Sequence, residues 1–469
     1  MFFTWGKCHP RHPGEKSRGL ASVIIRFFAS KSLSHMVFGV PRLRKALISI
    51  ACLCLAGVFL VSCGSVNSNP TTNNNQPSGL KFRAFISNPV EASFSSDFPA
   101  LNIVDATQDL LSASVVNLSG ITSDPTFMVE SPTYGLTLVF SPADKVLTVV
   151  NNANESAASS GKVTLPGETE SIAIDPFSTF AYAAVPTAPV AGQQPGAVVV
   201  LALTKTSVRV VATIPVPGAH YVVDSPDGLH LLVFADDSNS VTVITPILIG
   251  TGTDPRMVVS TGFDRPVWGL FSSDGTTAYI LNCGAQCGGS VASVVSMAVS
   301  SGTISATVPV DAATIGLIQG TTLYVAGTPP GADCGGTTTA ATTCGRLDTI
   351  DLNSMTMTGS AVVTDGYHNR IAMGASNQVF LGAHTCTNVN TSTETRGCLS
   401  IFQTGTSKVV IPPAVGDVTG IQPITNRTVV YVCQNGKLRI YDTTTDKLQT
   451  TQVNIAGAAT DVKLADGPP

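Results

Sequence analysis

The chain has 469 residues, and only 12% of them are Asp, Glu, Lys or Arg. Residues 1–62 contain nine of the 26 basic side chains and one of the 30 acidic ones, so residues 63–469 contain 17 basic and 29 acidic side chains. This acidic balance excludes the basic surfaces that bind nucleic acid or anionic lipid headgroups. Abundant Thr, Ser, Gly, Val and Ala with few Lys and Glu are typical of a secreted all-β protein, because helices need charged residues on their outer faces.

Residues 46–62 form an uncharged, mostly apolar segment that follows a basic cluster and ends directly before Cys63. This pattern resembles a bacterial lipoprotein signal peptide. The resemblance implies that everything after Cys63 is exported and that a diacylglycerol on the Cys63 sulfur anchors the protein to a membrane of the cell envelope. Gly64, where Asp would favour retention at the inner membrane, favours the outer membrane. The alternative is a transmembrane anchor, for which 17 residues lie at the short end of the required length.

The segments on either side of this signal also differ from a folded domain. Residues 1–35 are too long a leader for such a signal, so we expect translation to start at Met36 and the signal peptide to span 36–62. A real but unstructured leader is the alternative. Residues 63–80 are rich in Asn, Ser, Thr and Pro, with almost nothing to bury, which predicts a flexible tether.

From residue 81 to 469 the sequence repeats a unit of four short apolar strands separated by turns. Its copies start near 128, 172, 222, 268, 315, 371 and 421, at spacings of 44 to 56 residues. A period of this length built from four short strands predicts a β-propeller, because each sheet has apolar faces that only neighbouring blades can cover.

The two ends of this domain are predicted to complete each other. Residues 461–466 resemble an innermost strand with no blade after it, and residues 82–118 resemble a blade that lacks this strand. Together they make one composite blade, so the sequence predicts a single all-β propeller of eight blades, closed by the C-terminal strand. Seven blades remain the alternative if one weak copy is an insertion.

Several stretches are similar to the YVTN family of β-propeller repeats. They are Phe85-Ile86-Ser87-Asn88, Asn102-Ile103-Val104-Asp105, the Ser-Pro-Asp-Gly turn at 225–228, and Leu438-Arg439-Ile440-Tyr441-Asp442. The resemblance spans nearly all of 81–469 in degenerate form, and it implies the fold rather than an activity.

Six cysteines occur as three close pairs between the second and third strands of three consecutive blades. The pairs are Cys283 with Cys287, Cys334 with Cys344, and Cys386 with Cys398. In an oxidising compartment these spacings favour three local disulfides that fasten long loops. Zinc binding by cysteines of two loops is the alternative, although the repeated Cys-x-x-Cys of zinc ribbons is missing. Cys433 lies in an apolar strand and is expected to be a small buried residue.

No nucleophile-elbow, zincin, Walker or dinucleotide motif occurs in residues 63–469. His220 and His368 each follow a Gly-x pair directly before an innermost strand, and Asp264 and Arg265 precede another. These four side chains are predicted to form a ligand-binding face at one mouth of the central channel. The further candidates at equivalent positions are Glu168, Glu170, Asp311, Asp417 and Asp461. The alternative is that such residues face water or cap strand ends, and Trp268 is expected to pack within its blade.

Two functions fit these features. The first is a monomeric, non-catalytic binding scaffold in the cell envelope, without a cofactor, whose partner is a protein, a peptide or a glycan. The second is an enzyme, since related propellers include lactonases and lyases that work at a metal, which would place a divalent cation at the channel mouth. The catalytic residues of such enzymes do not map onto this chain, so no catalytic residue is assigned.

Overall fold

The computed structural model describes residues 76–92, 97–118, 124–334 and 343–467. The predicted signal peptide, Cys63 and the tether up to residue 75 lie outside these residues. All described residues belong to one compact unit. Within them, no helix has the length and apolar character needed to cross a bilayer.

The described residues form β-strands and two short 3-10 helices, at Pro246–Leu248 and Gly284–Cys287. In chain order the strands are β1 (Arg83–Ala92), β2 (Asp97–Asp105), β3 (Leu110–Asn117), β4 (Phe127–Glu130), β5 (Leu136–Ser141), β6 (Val146–Asn151), β7 (Ser156–Thr164), β8 (Ser171–Ile174), β9 (Phe180–Val185), β10 (Ala197–Thr204), β11 (Ser207–Pro215), β12 (Ala219–Asp224), β13 (Leu231–Ala235), β14 (Val241–Ile244), β15 (Arg256–Val259), β16 (Pro266–Phe271) and β17 (Thr277–Asn282). They continue with β18 (Ser293–Ala298), β19 (Thr303–Pro309), β20 (Ile315–Gln319), β21 (Thr322–Gly327), β22 (Gly345–Asp351), β23 (Thr356–Val363), β24 (Tyr367–Met373), β25 (Gln378–His384), β26 (Val389–Asn390), β27 (Thr395–Arg396), β28 (Leu399–Gln403), β29 (Lys408–Val410), β30 (Val418–Pro423), β31 (Val429–Gln434), β32 (Lys437–Asp442), β33 (Lys447–Leu448) and β34 (Asp461–Leu464).

These strands form eight four-stranded antiparallel sheets arranged as the blades of a β-propeller, which confirms the predicted fold and the count of eight. From the innermost strand outward, blade 1 is β34-β1-β2-β3, blade 2 is β4 to β7, blade 3 is β8 to β11, blade 4 is β12 to β15, blade 5 is β16 to β19, blade 6 is β20 to β23, blade 7 is β24-β25-β28-β29, and blade 8 is β30 to β33. The hairpin of β26 and β27 is an insertion in blade 7. All seven predicted starts fall inside innermost strands.

The pattern of apolar residues explains the layering of each blade. Middle strands such as β5 are buried at every position, because neighbouring blades cover both faces. Outer strands such as β19 alternate between exposed and covered residues, with the period of two of a half-solvated strand. The apolar cores therefore lie between blades, as where Leu138 and Phe140 of blade 2 pack with Ala183 and Val199 of blade 3.

The C-terminal strand closes the ring, as predicted. β34 pairs antiparallel with β1, with Ala84 opposite Leu464 and Ser87 opposite Asp461. Next to this junction the buried guanidinium of Arg83 forms ion pairs of 2.6 Å with both Glu155 and Asp466. Blade 1 thus combines both ends of the domain, and an ion-pair cluster binds it to blade 2.

The last residues of the predicted tether already belong to the folded body. The backbone N–H and the hydroxyl of Ser78 donate hydrogen bonds to the Glu155 carboxylate. Leu80 packs against the apolar cluster shared by blades 1 and 2. Ser78 and Leu80 therefore contact the blades from within the predicted tether.

The three predicted disulfides are present, each between the second and third strands of its blade. They join Cys283 to Cys287 in blade 5, Cys334 to Cys344 in blade 6, and Cys386 to Cys398 in blade 7. Their Cα atoms lie 5.6, 5.1 and 5.5 Å apart. Cys433 is a buried free cysteine, as predicted.

Candidate functional site

Four innermost strands each contain a β-bulge near their first residue. The register shifts between Ala219 and Tyr221 in β12, between Pro266 and Trp268 in β16, between His368 and Arg370 in β24, and between Val418 and Gly420 in β30. A bulge adds one unpaired residue and re-aims the side chains around it. Of the residues directly after these bulges, Tyr221, Trp268 and Arg370 line the central channel.

Two cavities occupy the channel. The one nearer the predicted mouth has a volume of about 390 Å³ and is lined by innermost strands of seven blades. The second, of about 490 Å³, extends toward the Ser-Pro-Asp-Gly turn of blade 4. Trp268, Asn369 and Arg370 line both cavities. These three side chains therefore lie at the level where the two halves of the channel meet.

His220 lies between two carboxylates at the channel mouth. Its Nδ1 is 2.6 Å from Asp236, which follows β13, and its Nε2 is 3.4 Å from Glu170, which precedes β8 of the neighbouring blade. The hydrogen bond with Glu170 and the charge of Asp236 raise the pKa of His220 against the opposing effect of burial. The same contact lowers the pKa of Glu170, and the positive charge of Arg370 contributes. The imidazole thus links blades 3 and 4 at the rim, and both carboxylates favour its protonated form.

Aromatic rings form much of the wall below this rim. The rings of His220 and Tyr221 stack at 4.7 Å, and Tyr221 meets Trp268 edge-on at 5.4 Å. Tyr367, across the mouth, lies 5.3 Å from the ring of His384. Burial raises the pKa of Tyr367 to about 12 and raises that of Tyr221 as well, so both phenols stay neutral. Trp268 also packs against two apolar clusters, one shared by blades 5 and 6 and one shared by blades 6 and 7, so it is both a packing residue and part of the channel wall.

The charged groups that line the channel differ in how they are compensated. Burial raises the pKa of Glu130 to about 8, although its carboxyl accepts hydrogen bonds from Thr137 and Asn152, so this acid is protonated at neutral pH. The ammonium of Lys463 is 3.1 Å from the carboxylate of Asp461. These groups leave little net charge on that side of the channel.

Arg370 is the exception among these charges. Its Nε and Nη1 donate to the backbone oxygens of Thr419 and Asn369 at 2.8 and 2.9 Å. None of the ion pairs formed among the described residues includes Arg370. Two backbone contacts therefore hold the guanidinium in place without neutralising it.

Arg265 shares the rim with His220, whereas Asp264 has a local structural role. Arg265 lines a cavity of about 300 Å³ together with His220 and forms an ion pair of 2.9 Å with Asp237. The Asp264 carboxylate accepts hydrogen bonds from the backbone N–H groups of Ser290 and Val291, both at 2.8 Å. Asp264 thus holds the loop that follows the first disulfide.

His368 does not lie at the mouth, which corrects its predicted position. Its side chain is fully buried, and neither ring nitrogen makes a hydrogen bond of ordinary geometry within the described residues. Burial lowers the pKa of His368 to about 4, and the nearby Thr364 backbone offsets this only in part. It precedes the bulge of β24, as Ala219 precedes the bulge of β12, so its ring points into the blade.

Of the further candidates, Asp461, Asp417 and Asp311 accept hydrogen bonds within the fold, whereas Glu170 lies at the candidate site. Asp461 is buried and accepts a hydrogen bond from the N–H of Met128, and Asp417 accepts one from the N–H of Thr385. Asp311 accepts one from the hydroxyl of Ser360. Glu170 alone of this group contacts a predicted site histidine. In the described ranges no three His, Cys, Asp or Glu side chains are grouped closely enough to hold a metal ion.

Comparisons with known proteins identify the fold but no family. No family model and no curated protein matches the chain. Among solved structures, dihydro-heme d1 dehydrogenase NirN in complex with DHE is 12% identical with a TM-score of 0.58, over 86% of this chain and 78% of NirN. A functionally unknown protein from Desulfotomaculum acetoxidans is 12% identical with a TM-score of 0.46, over 82% of this chain and 98% of that one. A candidate 6-phosphogluconolactonase from Bacteroides uniformis is 11% identical with a TM-score of 0.48, over 82% and 99%. Likeness at these identities shows the β-propeller fold alone.

Proposed function

We propose that this protein is an exported, lipid-anchored β-propeller that binds a ligand or partner at the channel mouth carrying His220, without catalysing a reaction. The observation that carries the proposal is the wall of Tyr221, Trp268 and Tyr367 around a cavity of about 390 Å³. Mostly apolar, aromatic walls with a few converging polar groups are the usual composition of ligand sites. The partner expected from the sequence is a protein, a peptide or a glycan, and the propeller acts as a monomer.

Site-specific photocrosslinking in cells tests where the partner binds. A photoreactive residue replaces Ser238, which lines the rim beside His220. A matched probe replaces Phe177, a 70% exposed residue in the turn that connects the first two strands of blade 3. We expect a discrete adduct from position 238 and none from position 177, and the adduct should disappear in Tyr221→Ala/Tyr367→Ala. Equal adducts from both positions, or none from position 238, would contradict the proposal.

The lipid anchor is tested separately, because Cys63 lies outside the described residues. Cys63→Ser should move the protein from the membrane fraction to the soluble fraction, or leave it as unprocessed precursor, because the sulfur that receives the diacylglycerol is lost. Unchanged membrane partitioning of the variant would count against lipidation.

The alternative is a propeller enzyme with a divalent cation at the mouth. His220, which contacts Glu170 and Asp236, is the side chain on which such an ion would depend, although these three groups are not placed closely enough in the described residues to hold it as they stand. A stoichiometric divalent ion in the purified protein that is lost in His220→Ala would favour the enzyme, because imidazole and carboxylate are ordinary metal ligands. Retention of the ion in that variant would exclude this site for it.

A further inference from the structure

The channel contains one guanidinium, that of Arg370, that forms no ion pair with the described residues. Of the acids lining the mouth cavity, Glu130 is protonated near neutral pH, Asp461 is paired with Lys463, and Glu170 contacts His220. Arg370 has backbone oxygens as partners but takes part in no described ion pair. A guanidinium in a confined, partly apolar space attracts an anion more strongly than one at an open surface.

The position of Arg370 makes it available to a ligand. It lines both cavities, and so does Trp268, so a molecule that enters from the mouth reaches both side chains. Nε and Nη1 are fixed by the carbonyls of Thr419 and Asn369, which come from blades 8 and 7. The guanidinium is therefore held in one orientation before any ligand arrives, and planar donor groups fit the two oxygens of a carboxylate.

The amide of Asn369 adds a second observation. Its Oδ1 is buried and has no hydrogen-bond partner among the described residues, and the residue lines both cavities next to Arg370. A buried amide oxygen without a donor costs free energy unless a ligand or water supplies one. A ligand that presents a carboxylate to Arg370 and an N–H or O–H beside it would satisfy both groups.

We propose that the ligand of this channel is a small organic carboxylate, bound by the guanidinium of Arg370 and flanked by the rings of Trp268 and Tyr221. The inference rests on the proposed binding function and names the chemical class of its ligand. The aromatic rings favour a planar or apolar portion attached to the acid group. A volume of about 390 Å³ has room for such a molecule rather than for a folded partner.

Fluorescence quenching by an anion tests the charge directly, since Trp268 is the only tryptophan besides Trp5. Iodide and neutral acrylamide are compared at constant ionic strength, and Trp268→Phe gives the background from Trp5. We expect Arg370→Gln to lower the iodide quenching constant at least about twofold and to leave acrylamide quenching unchanged. Arg209→Gln, at an exposed position of β11, should change neither.

Benzoate and its neutral counterpart benzamide then test the ligand class. Benzoate should protect Trp268 from iodide in the wild type, and benzamide should bind at least about tenfold more weakly, because it lacks the charge-assisted hydrogen bonds. Arg370→Lys should keep iodide quenching but lose most of the benzoate protection, since an ammonium lacks the planar fork. Unchanged iodide quenching in Arg370→Gln, equal loss of both quenchers, or equal binding of benzoate and benzamide would overturn the inference.

These outcomes are independent of the test of the proposed function. Crosslinking at position 238 together with failure of benzoate would retain the binding propeller and remove the carboxylate ligand. Benzoate binding without any adduct in cells would retain the anion site and remove the partner at the rim.

Discussion

The contact between His220 and two carboxylates is the main titratable feature of the rim. Asp236 and Glu170 belong to adjacent blades, and both side chains are more than half exposed. The free energy that this contact adds to folding is therefore small, below about 1 kcal/mol, because solvent screens exposed ion pairs. Its larger effect is on charge, since the two carboxylates favour the cationic form of the imidazole at the mouth.

This charge leads to a prediction for the titration of His220. Because the partners raise its pKa, His220 should titrate above the ordinary value of about 6.5 in NMR spectra of the histidine ring carbons. Asp236→Asn and Glu170→Gln should each lower this pKa. Asp237→Asn, which removes the neighbouring carboxylate paired with Arg265, should leave it unchanged. A titration at or below the ordinary value would contradict the assignment.

The buried His368 predicts that the folded protein loses stability as the pH falls. Its pKa is lowered from 6.5 to about 4, so between these values the unfolded chain takes up a proton and the folded protein does not. Wild type should therefore lose up to about 2 kcal/mol through this group between pH 7.5 and pH 5. Urea unfolding measures this effect: the free energy of unfolding of His368→Leu, relative to that of wild type, should be higher at pH 5 than at pH 7.5 by about this amount.

A matched substitution at His220 gives the control for that measurement. The raised pKa of His220 means that its proton stabilises the folded state at low pH and that this contribution is lost as pH rises through the folded pKa. His220→Leu should therefore lose stability relative to wild type on going from pH 7.5 to pH 5. Shifts of the same sign in both leucine variants would show that the linkage is not specific to these sites.

His220 lies at the channel mouth whereas His368 is buried, a difference that the sequence alone does not predict. Gly218 and Gly366 both stand two residues before a histidine, so the motifs suggest equivalent positions. The bulge falls on residue 220 in β12 but on residue 369 in β24, one residue later relative to the glycine. Pairing with the second strand decides the position of a bulge, and the local motif does not encode that pairing. The same shift places Arg370 in the channel, a position that the local motif does not predict.

At the scale of elements, the apolar periodicity of the sequence predicts the position of each blade but not the length of its outer strand. The innermost strands and the cysteine loops fell where the sequence predicted them, because four apolar runs per repeat leave few other arrangements. The outer strands of blades 7 and 8, β29 and β33, have only three and two residues, and the hairpin β26–β27 was not anticipated. The length of an outer strand depends on the residues that pack beside it, and these lie outside the repeat that contains the strand.

The disulfide loops carry a prediction about stability. Entropy of the unfolded chain gives about 2 kcal/mol for a closed loop the size of Cys283–Cys287 and about 3 kcal/mol for one the size of Cys386–Cys398. The double serine variant of the longer loop should therefore lower the free energy of unfolding more than that of the shorter one. Urea unfolding under non-reducing conditions measures both, and Cys433→Ser serves as the control for loss of a thiol. A larger loss from the shorter loop would contradict the entropic account.

At the scale of the whole molecule, stability depends on joining the two ends of the domain. β34 buries Val462 and Leu464 against blades 1 and 8, and Asp466 anchors Arg83. Glu155 connects the same arginine to Ser78, so Ser78 and Asp466, from opposite ends of the described residues, belong to one cluster. The ring of blades therefore closes only when β34 is paired with β1, wherever the chain begins and ends.

A circular permutant tests this closure. Joining Gly467 to Ser78 by a short Gly-Ser linker and opening the chain at the exposed Gly252 keeps every strand, so we expect a monomer whose free energy of unfolding is within about 2 kcal/mol of wild type. Deleting 461–467 uncovers the edge of β1 and removes the buried side chains of Val462 and Leu464, each contributing about 1.5–3 kcal/mol. That deletion should lower the free energy of unfolding by at least about 3 kcal/mol and promote self-association in size-exclusion chromatography. A deletion variant that stays monomeric and as stable as wild type would show that the ring does not depend on its last strand.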